Sequence, residues 1–217
     1  MVGKLRKWGY AVPAVWYPAE AALMLRSGMK IESITPGKAG ITVKLSRTIT
    51  AKDNPRLAGM KLELTHEFSV SGIKSRARFT NLLHDAVEFA FRFHNMPQLL
   101  SRKNRDVGEI SFASGEVFKR SYVQKFIRTS AEDPLLEKAY KRTKHISTAK
   151  SFPVRISAPW SRHTLEVTFS PVLHSIMLWD EERSASSTFE PVFRRTQLAP
   201  GQSVEFNMNT KIISQTK

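Results

Sequence analysis

Leu62-Glu63-Leu64-Thr65-His66-Glu67-Phe68-Ser69-Val70, then Ser71-Gly72, then Ile73-Lys74-Ser75-Arg76-Ala77-Arg78-Phe79 is the stretch that decides the fold. Leu62, Leu64, Phe68 and Val70 alternate with Lys61, Glu63, Thr65, Glu67 and Ser69. That is the period of two expected when a strand turns one face to a core and the other to water. Ser-Gly between two such runs is a turn signal, so the stretch reads as a β-hairpin.

The same period extends in both directions. Upstream, Ile41, Val43 and Leu45 alternate with Thr42, Lys44 and Ser46, and the turn at Pro36-Gly37 pairs them with Lys30 to Ile34. Downstream, Val87, Phe89, Phe91 and Phe93 share one face of a strand whose other face carries Glu88, Ala90, Arg92 and His94. Further strands are expected at Val117 to Ile127, Val154 to Ser157, Leu165 to Phe169, Ser175 to Trp179, Thr188 to Phe193 and Ser203 to Met208. Regular short strands between Pro-, Gly- and Ser-bearing turns point to an all-β, antiparallel β-sandwich.

One or two short helices interrupt this rhythm. Tyr17 to Gly28 reads as a helix, with Pro18 in its first turn, the helix-favouring run Ala21 to Leu25, and Gly28 at its exit. Asp133 to His145 reads as a second, capped by Asp133 with Pro134 at the first helical position. The expected organisation is an N-terminal leader or capping helix over residues 1–28 and one sandwich domain over 29–217.

Composition agrees with a folded domain. The chain has 217 residues, 41% hydrophobic, with thirteen Phe, which supplies a core and excludes the disordered class. Without cysteine there is neither a disulfide nor a thiolate metal site. No run reaches the roughly 18 apolar residues of a membrane-spanning helix. Pro13, Pro18 and Glu20 break the apolar run that follows Lys4, Arg6 and Lys7, so a signal peptide is not expected and the expected location is cytoplasmic. The net charge of +15 favours anionic partners, but the 34 Lys and Arg are spread along the chain, so nucleic acid is the less favoured partner.

Chemistry concentrates in Phe91-Arg92-Phe93-His94-Asn95-Met96-Pro97, in Phe189-Glu190-Pro191-Val192-Phe193, and in Leu198-Ala199-Pro200-Gly201. A carboxylate in an apolar strand is costly alone, so Glu190 must pair with an arginine such as Arg92 or face a wet cleft. In order and content these segments resemble the galactose-mutarotase-like superfamily. That superfamily includes aldose 1-epimerases and the C-terminal sandwich domains of some α-amylase and 4-α-glucanotransferase chains.

The resemblance implies a supersandwich, truncated at its N-terminus relative to the epimerases, with a sugar or oligosaccharide as ligand. The positive charge favours acidic or phosphorylated sugars. In the epimerases a His protonates the ring oxygen and a Glu takes the anomeric proton. The matching positions are His94 and Glu190, an acid and a base flanking one carbon. The extra Arg and Asn sugar ligands of the epimerases find no match, so binding is expected ahead of catalysis. A basic surface that holds nucleic acid or another anionic polymer is the third reading.

Other residues suit a sugar site without requiring one. Arg92 and Glu88 share the His94 face. Trp160, Trp179 and Tyr122 offer rings on which a sugar can stack, though each suits a core better. Asp180 opens an acidic trio with Glu181 and Glu182 that lacks the ligand spacing of a calcium loop, so no metal and no cofactor is expected.

Overall fold

The computed structural model describes residues 14–17, 20–24, 28–93, 108–119, 125–131, 133, 143–145, 152–159, 161–181 and 186–214. Its strands are β1 (Ala14–Tyr17), β2 (Glu20–Met24), β3 (Lys30–Gly37), β4 (Gly40–Thr48), β5 (Lys61–Ser69), β6 (Gly72–Thr80), β7 (Val87–Arg92), β8 (Glu109–Phe112) and β9 (Val117–Lys119). They continue with β10 (Lys125–Arg128), β11 (Thr143–His145), β12 (Val154–Ser157), β13 (His163–Ser170), β14 (Leu173–Glu181), β15 (Ser186–Phe193), β16 (Thr196–Leu198) and β17 (Ser203–Ser214).

These strands form two sheets. Sheet A runs β11-β10-β14-β15-β7-β1-β2, with β16 also pairing β7, and sheet B runs β3-β4-β5-β6-β17-β13-β12-β8-β9. Pairing is antiparallel except between β10 and β11, which lie parallel. The hairpins β3–β4 and β5–β6 form where the alternation placed them. Gly72 closes the second one under constraint. Its φ of 147° is open to glycine, and a Cβ there would sit 1.9 Å from the carbonyl oxygen of Thr210.

Phenylalanines fill the space between the sheets. Phe89, Phe91 and Phe193 from sheet A meet Phe79 and Phe206 from sheet B, and Phe189 meets Phe169 of β13. Phe91 is the hub, with ring centroids 5.2 Å from Phe79, 5.1 Å from Phe206 and 4.8 Å from Phe93. Tilted and edge-on rings at such distances add to the burial of their area. Toward the β3 end the inner face of sheet B stays apolar but exposed, at Ile31, Ile34, Ile41, Phe68 and Ile73.

Three sequence expectations change. Residues 20–24 form a strand rather than a helix, because β1 and β2 pair with each other and β1 with β7, extending sheet A. Tertiary pairing there overrides the helix preference of Ala-Ala-Leu-Met. The single strand expected over Val117 to Ile127 is two strands in different sheets, β9 beside β8 and β10 beside β14. The end of the second expected helix, Thr143–His145, is strand β11, held by β10; positions 134–142 lie outside the described residues.

Asn81 ties the Leu198-Ala199-Pro200-Gly201 turn to the sandwich. Its side-chain amide donates to the carbonyls of Asp85 and Leu198 at 2.8 and 3.0 Å, and its Oδ1 accepts from the Leu83 amide at 2.9 Å. Its own backbone bonds Gln202 and Gly201. Asn81→Ala leaves three backbone groups of this fully buried position without partners, which costs about 3 kcal/mol. Urea unfolding checks this, with a lowered midpoint and unchanged slope as the expected result.

His66 sets a pH dependence. It is half-buried beside Phe68, its Nδ1 is 2.9 Å from the Ser75 hydroxyl, and burial lowers its pKa from 6.5. Above pH 6.5 both folded and unfolded chains hold this imidazole neutral; below it the unfolded chain takes up the proton first. His66 therefore contributes a loss of stability as pH falls below that point. Thermal melts between pH 7.5 and 5.5 are expected to fall less in His66→Gln than in the parent chain.

Candidate functional site

Alternation along β15 sends Phe189 and Phe193 inward and leaves Thr188, Glu190 and Val192 on the outer face of sheet A. Alternation along β7 does the same for Glu88, Ala90 and Arg92. The sheet order sets β15 directly against β7, and Val192 pairs in register with Arg92. That pairing joins two segments distant in sequence.

An Arg92 Nη1 to Glu190 Oε2 ion pair results, with the side chains 10% and 3% exposed. Removing two charges from water costs several kcal/mol each, and it is tolerable only when attraction and hydrogen bonds replace the hydration. An apolar pair would fill this place at lower cost, so the pair marks the face as chemically specialised.

Register surrounds the pair with further polar groups. Ser175 lies opposite Val192, Met177 opposite Glu190 and Trp179 opposite Thr188. Arg128 of β10 pairs with Ser175, while its neighbour Ile127 points into the core. A second guanidinium thus stands on the same row as Arg92, three strand spacings away, or roughly 14 Å. Ser175 is fully buried, its hydroxyl 3.1 Å from His174 Nδ1.

Arg128, Ser175 and Thr188 were not among the residues that the sequence singled out. Arg128 is the last residue of a short strand, and nothing local reveals that its strand pairs with β14. Thr188 and Ser175 had a signal: both lie at even spacing from positions on the Glu190 face.

The remaining candidates divide. Glu88 shares the Arg92 face but is engaged by Arg195, whose Nη1 lies 2.9 Å from its Oε1 and whose Nε donates to Asp133 Oδ2 at 2.6 Å. The Asp133 hydrogen bond is the main cause that raises the Arg195 pKa above its usual value. Trp179 and Asp180 occupy consecutive positions of β14, so backbone alternation gives residue 179 the face of Glu190 and residue 180 the other. His94, Tyr122 and Trp160 lie outside the described residues. Pairing between β15 and β7 runs on through the Phe93 amide, which donates to the Pro191 carbonyl at 3.2 Å, one residue before His94.

No family model matches the chain, and no curated protein matches it in sequence. Solved structures do. Slr1438 of Synechocystis superposes with a TM-score of 0.61 at 11% identity, over 94% of this chain and 78% of that one. A galactose mutarotase-like protein of Clostridium acetobutylicum gives 0.61 at 10% identity, over 93% and 75%. The chain shares the fold of galactose mutarotase-like structures. The α-galactosidase AgaA of Geobacillus stearothermophilus, a GH36 enzyme, matches with a TM-score of 0.56 at 9% identity, over 94% of this chain but 30% of the enzyme. The galactose-mutarotase-like sandwich is therefore matched both by proteins of similar length and by part of a longer chain.

Proposed function

We propose that this protein is a carbohydrate-binding, carbohydrate-associated domain that takes a sugar on the outer face of sheet A. The observation that carries the reading is the buried Arg92–Glu190 pair on a sheet face rather than in the core. A guanidinium beside a carboxylate offers fixed donors next to fixed acceptors, which suits vicinal hydroxyls that both donate and accept. Arg128, on the same row, adds donors to a second part of a ligand. The fold neighbours include galactose mutarotase-like proteins and an α-galactosidase solved with raffinose, which supports a sugar as ligand.

Epimerisation is the second reading, favoured by the place of Glu190 on this face and by His94, two residues beyond Arg92. Ring opening would use His94 as acid toward the ring oxygen and Glu190 as base toward the anomeric hydroxyl. Titration of galactose and glucose followed by protein NMR tests the site. Glu190→Gln, which preserves shape and removes the charge, is expected to weaken binding at least tenfold, and an unchanged affinity overturns the proposal. Polarimetry separates the readings: binding without faster anomer interconversion supports the binding domain, and acceleration lost in Glu190→Gln supports the epimerase.

A further inference from the structure

The outer face of sheet B, across the sandwich from Arg92 and Glu190, carries a second polar surface. Pairing register lines up Lys44, Thr65, Arg76, Asn207 and Ser170 in one row across β4, β5, β6, β17 and β13. This row contains two cations, two hydroxyls and an amide, and no carboxylate. The rows on either side do carry acids, Glu63 and Glu205 on one and Glu67 on the other. The acid-free row spans four strand spacings, roughly 19 Å.

A groove of about 290 Å³ opens along part of it, with Lys44, Thr65, Arg76 and Arg78 in its wall together with Glu32, Glu63 and Glu205. Glu32 and Glu63 are already matched, and Glu205 stands opposite Arg78 in register. Glu32 accepts from the Ser46 hydroxyl and from Lys30 Nζ at 3.0 Å, and Glu63 accepts from Lys61 Nζ at 2.8 Å. Lys44 and Arg76 are exposed and form no ion pair with any described residue, and among the described residues Arg78 donates to the Ser203 hydroxyl at 3.5 Å. Lys44 and Arg76 are therefore left in the groove without a carboxylate partner among the described residues.

We propose that this row is a binding track for an acidic oligosaccharide, a sugar chain bearing carboxylate groups. Lys44 and Arg76 lie two strand spacings apart, roughly 10 Å, a separation that repeated charges on one chain can satisfy and a single small anion cannot bridge. The Arg76 fork suits a carboxylate, and Thr65, Asn207 and Ser170 supply donors and acceptors for hydroxyls. The groove wall has no aromatic ring on which a base could stack, which sets nucleic acid aside. The site is independent of the one on sheet A, and its test reads different residues.

Calorimetric titration of the full chain with a tetramer of α-1,4-linked galacturonate tests the track, with maltotetraose and a single-stranded deoxythymidine oligomer beside it. Saturable galacturonate binding is expected, weakened at least tenfold by Lys44→Glu with Arg76→Glu. The same charge change on two turns, Lys38→Glu with Lys52→Glu, is expected to weaken it less than threefold; thermal melts confirm that both variants fold. Absence of saturable galacturonate binding overturns the proposal, as does equal loss in the two double variants, which would assign binding to net charge alone. Equal affinity for maltotetraose removes the role of charge and overturns it. Equal or tighter binding of the deoxythymidine oligomer, lost in the same variant, replaces the saccharide with nucleic acid.

Discussion

Phe91→Ala is expected to destabilise the protein by about 4 kcal/mol, in the middle of the range for truncating a buried aromatic. The ring sits fully buried between the sheets and meets Phe79 and Phe206 across the interface, and Phe93 and Phe193 on its own side. Its loss removes apolar burial and opens a cavity that surrounding rings, held by the two sheets, can fill only in part. Phe91→Leu keeps more of the volume and is expected to cost about half as much. Urea unfolding followed by tryptophan fluorescence measures both. Equal, small effects would place the mechanical centre of the sandwich elsewhere.

Arg92→Met is the second large effect, at about 3 to 4 kcal/mol of lost stability. It strips the buried Glu190 carboxylate of its counter-charge while keeping an apolar stem of similar length. The double variant Arg92→Met with Glu190→Leu is expected to recover most of that loss, because two apolar side chains no longer carry the desolvation cost. Binding of sugar is expected to disappear in that double variant despite its stability. This opposite movement of stability and binding distinguishes a pair retained for its chemistry from one retained to hold the fold. The cycle of single and double variants gives the coupling energy directly.

Much of the architecture was legible because sheet faces obey a strict period of two. Leu62, Leu64, Ala77 and Phe79 are buried, as alternation required, and Phe89, Phe91 and Phe93 line one side of β7. Turn chemistry located the two hairpins to within a residue or two: Pro36-Gly37 ends β3 just before the turn at Lys38-Ala39, and Ser71-Gly72 overlaps the turn at Val70-Ser71. Where the reading failed, local preference and long-range pairing disagreed. Ala21 to Met24 favours helix, yet β2 takes its conformation from β1, which in turn pairs with β7, more than sixty residues downstream.

The candidate site shows the same division. The sequence by itself determined that Glu190, in an apolar strand, had to find a counter-charge or water, and it offered Arg92 as the partner. Only the tertiary structure decided that β15 lies against β7, so that the two meet, and that Arg128 joins their row through β14. The reason is physical. Alternation states which face a side chain takes, while the neighbours on that face depend on strand order, and strand order is settled by burial summed over both sheets. The acid-free row illustrates this: Lys44 was visible as an outward position, and register alone put Arg76 on the same row.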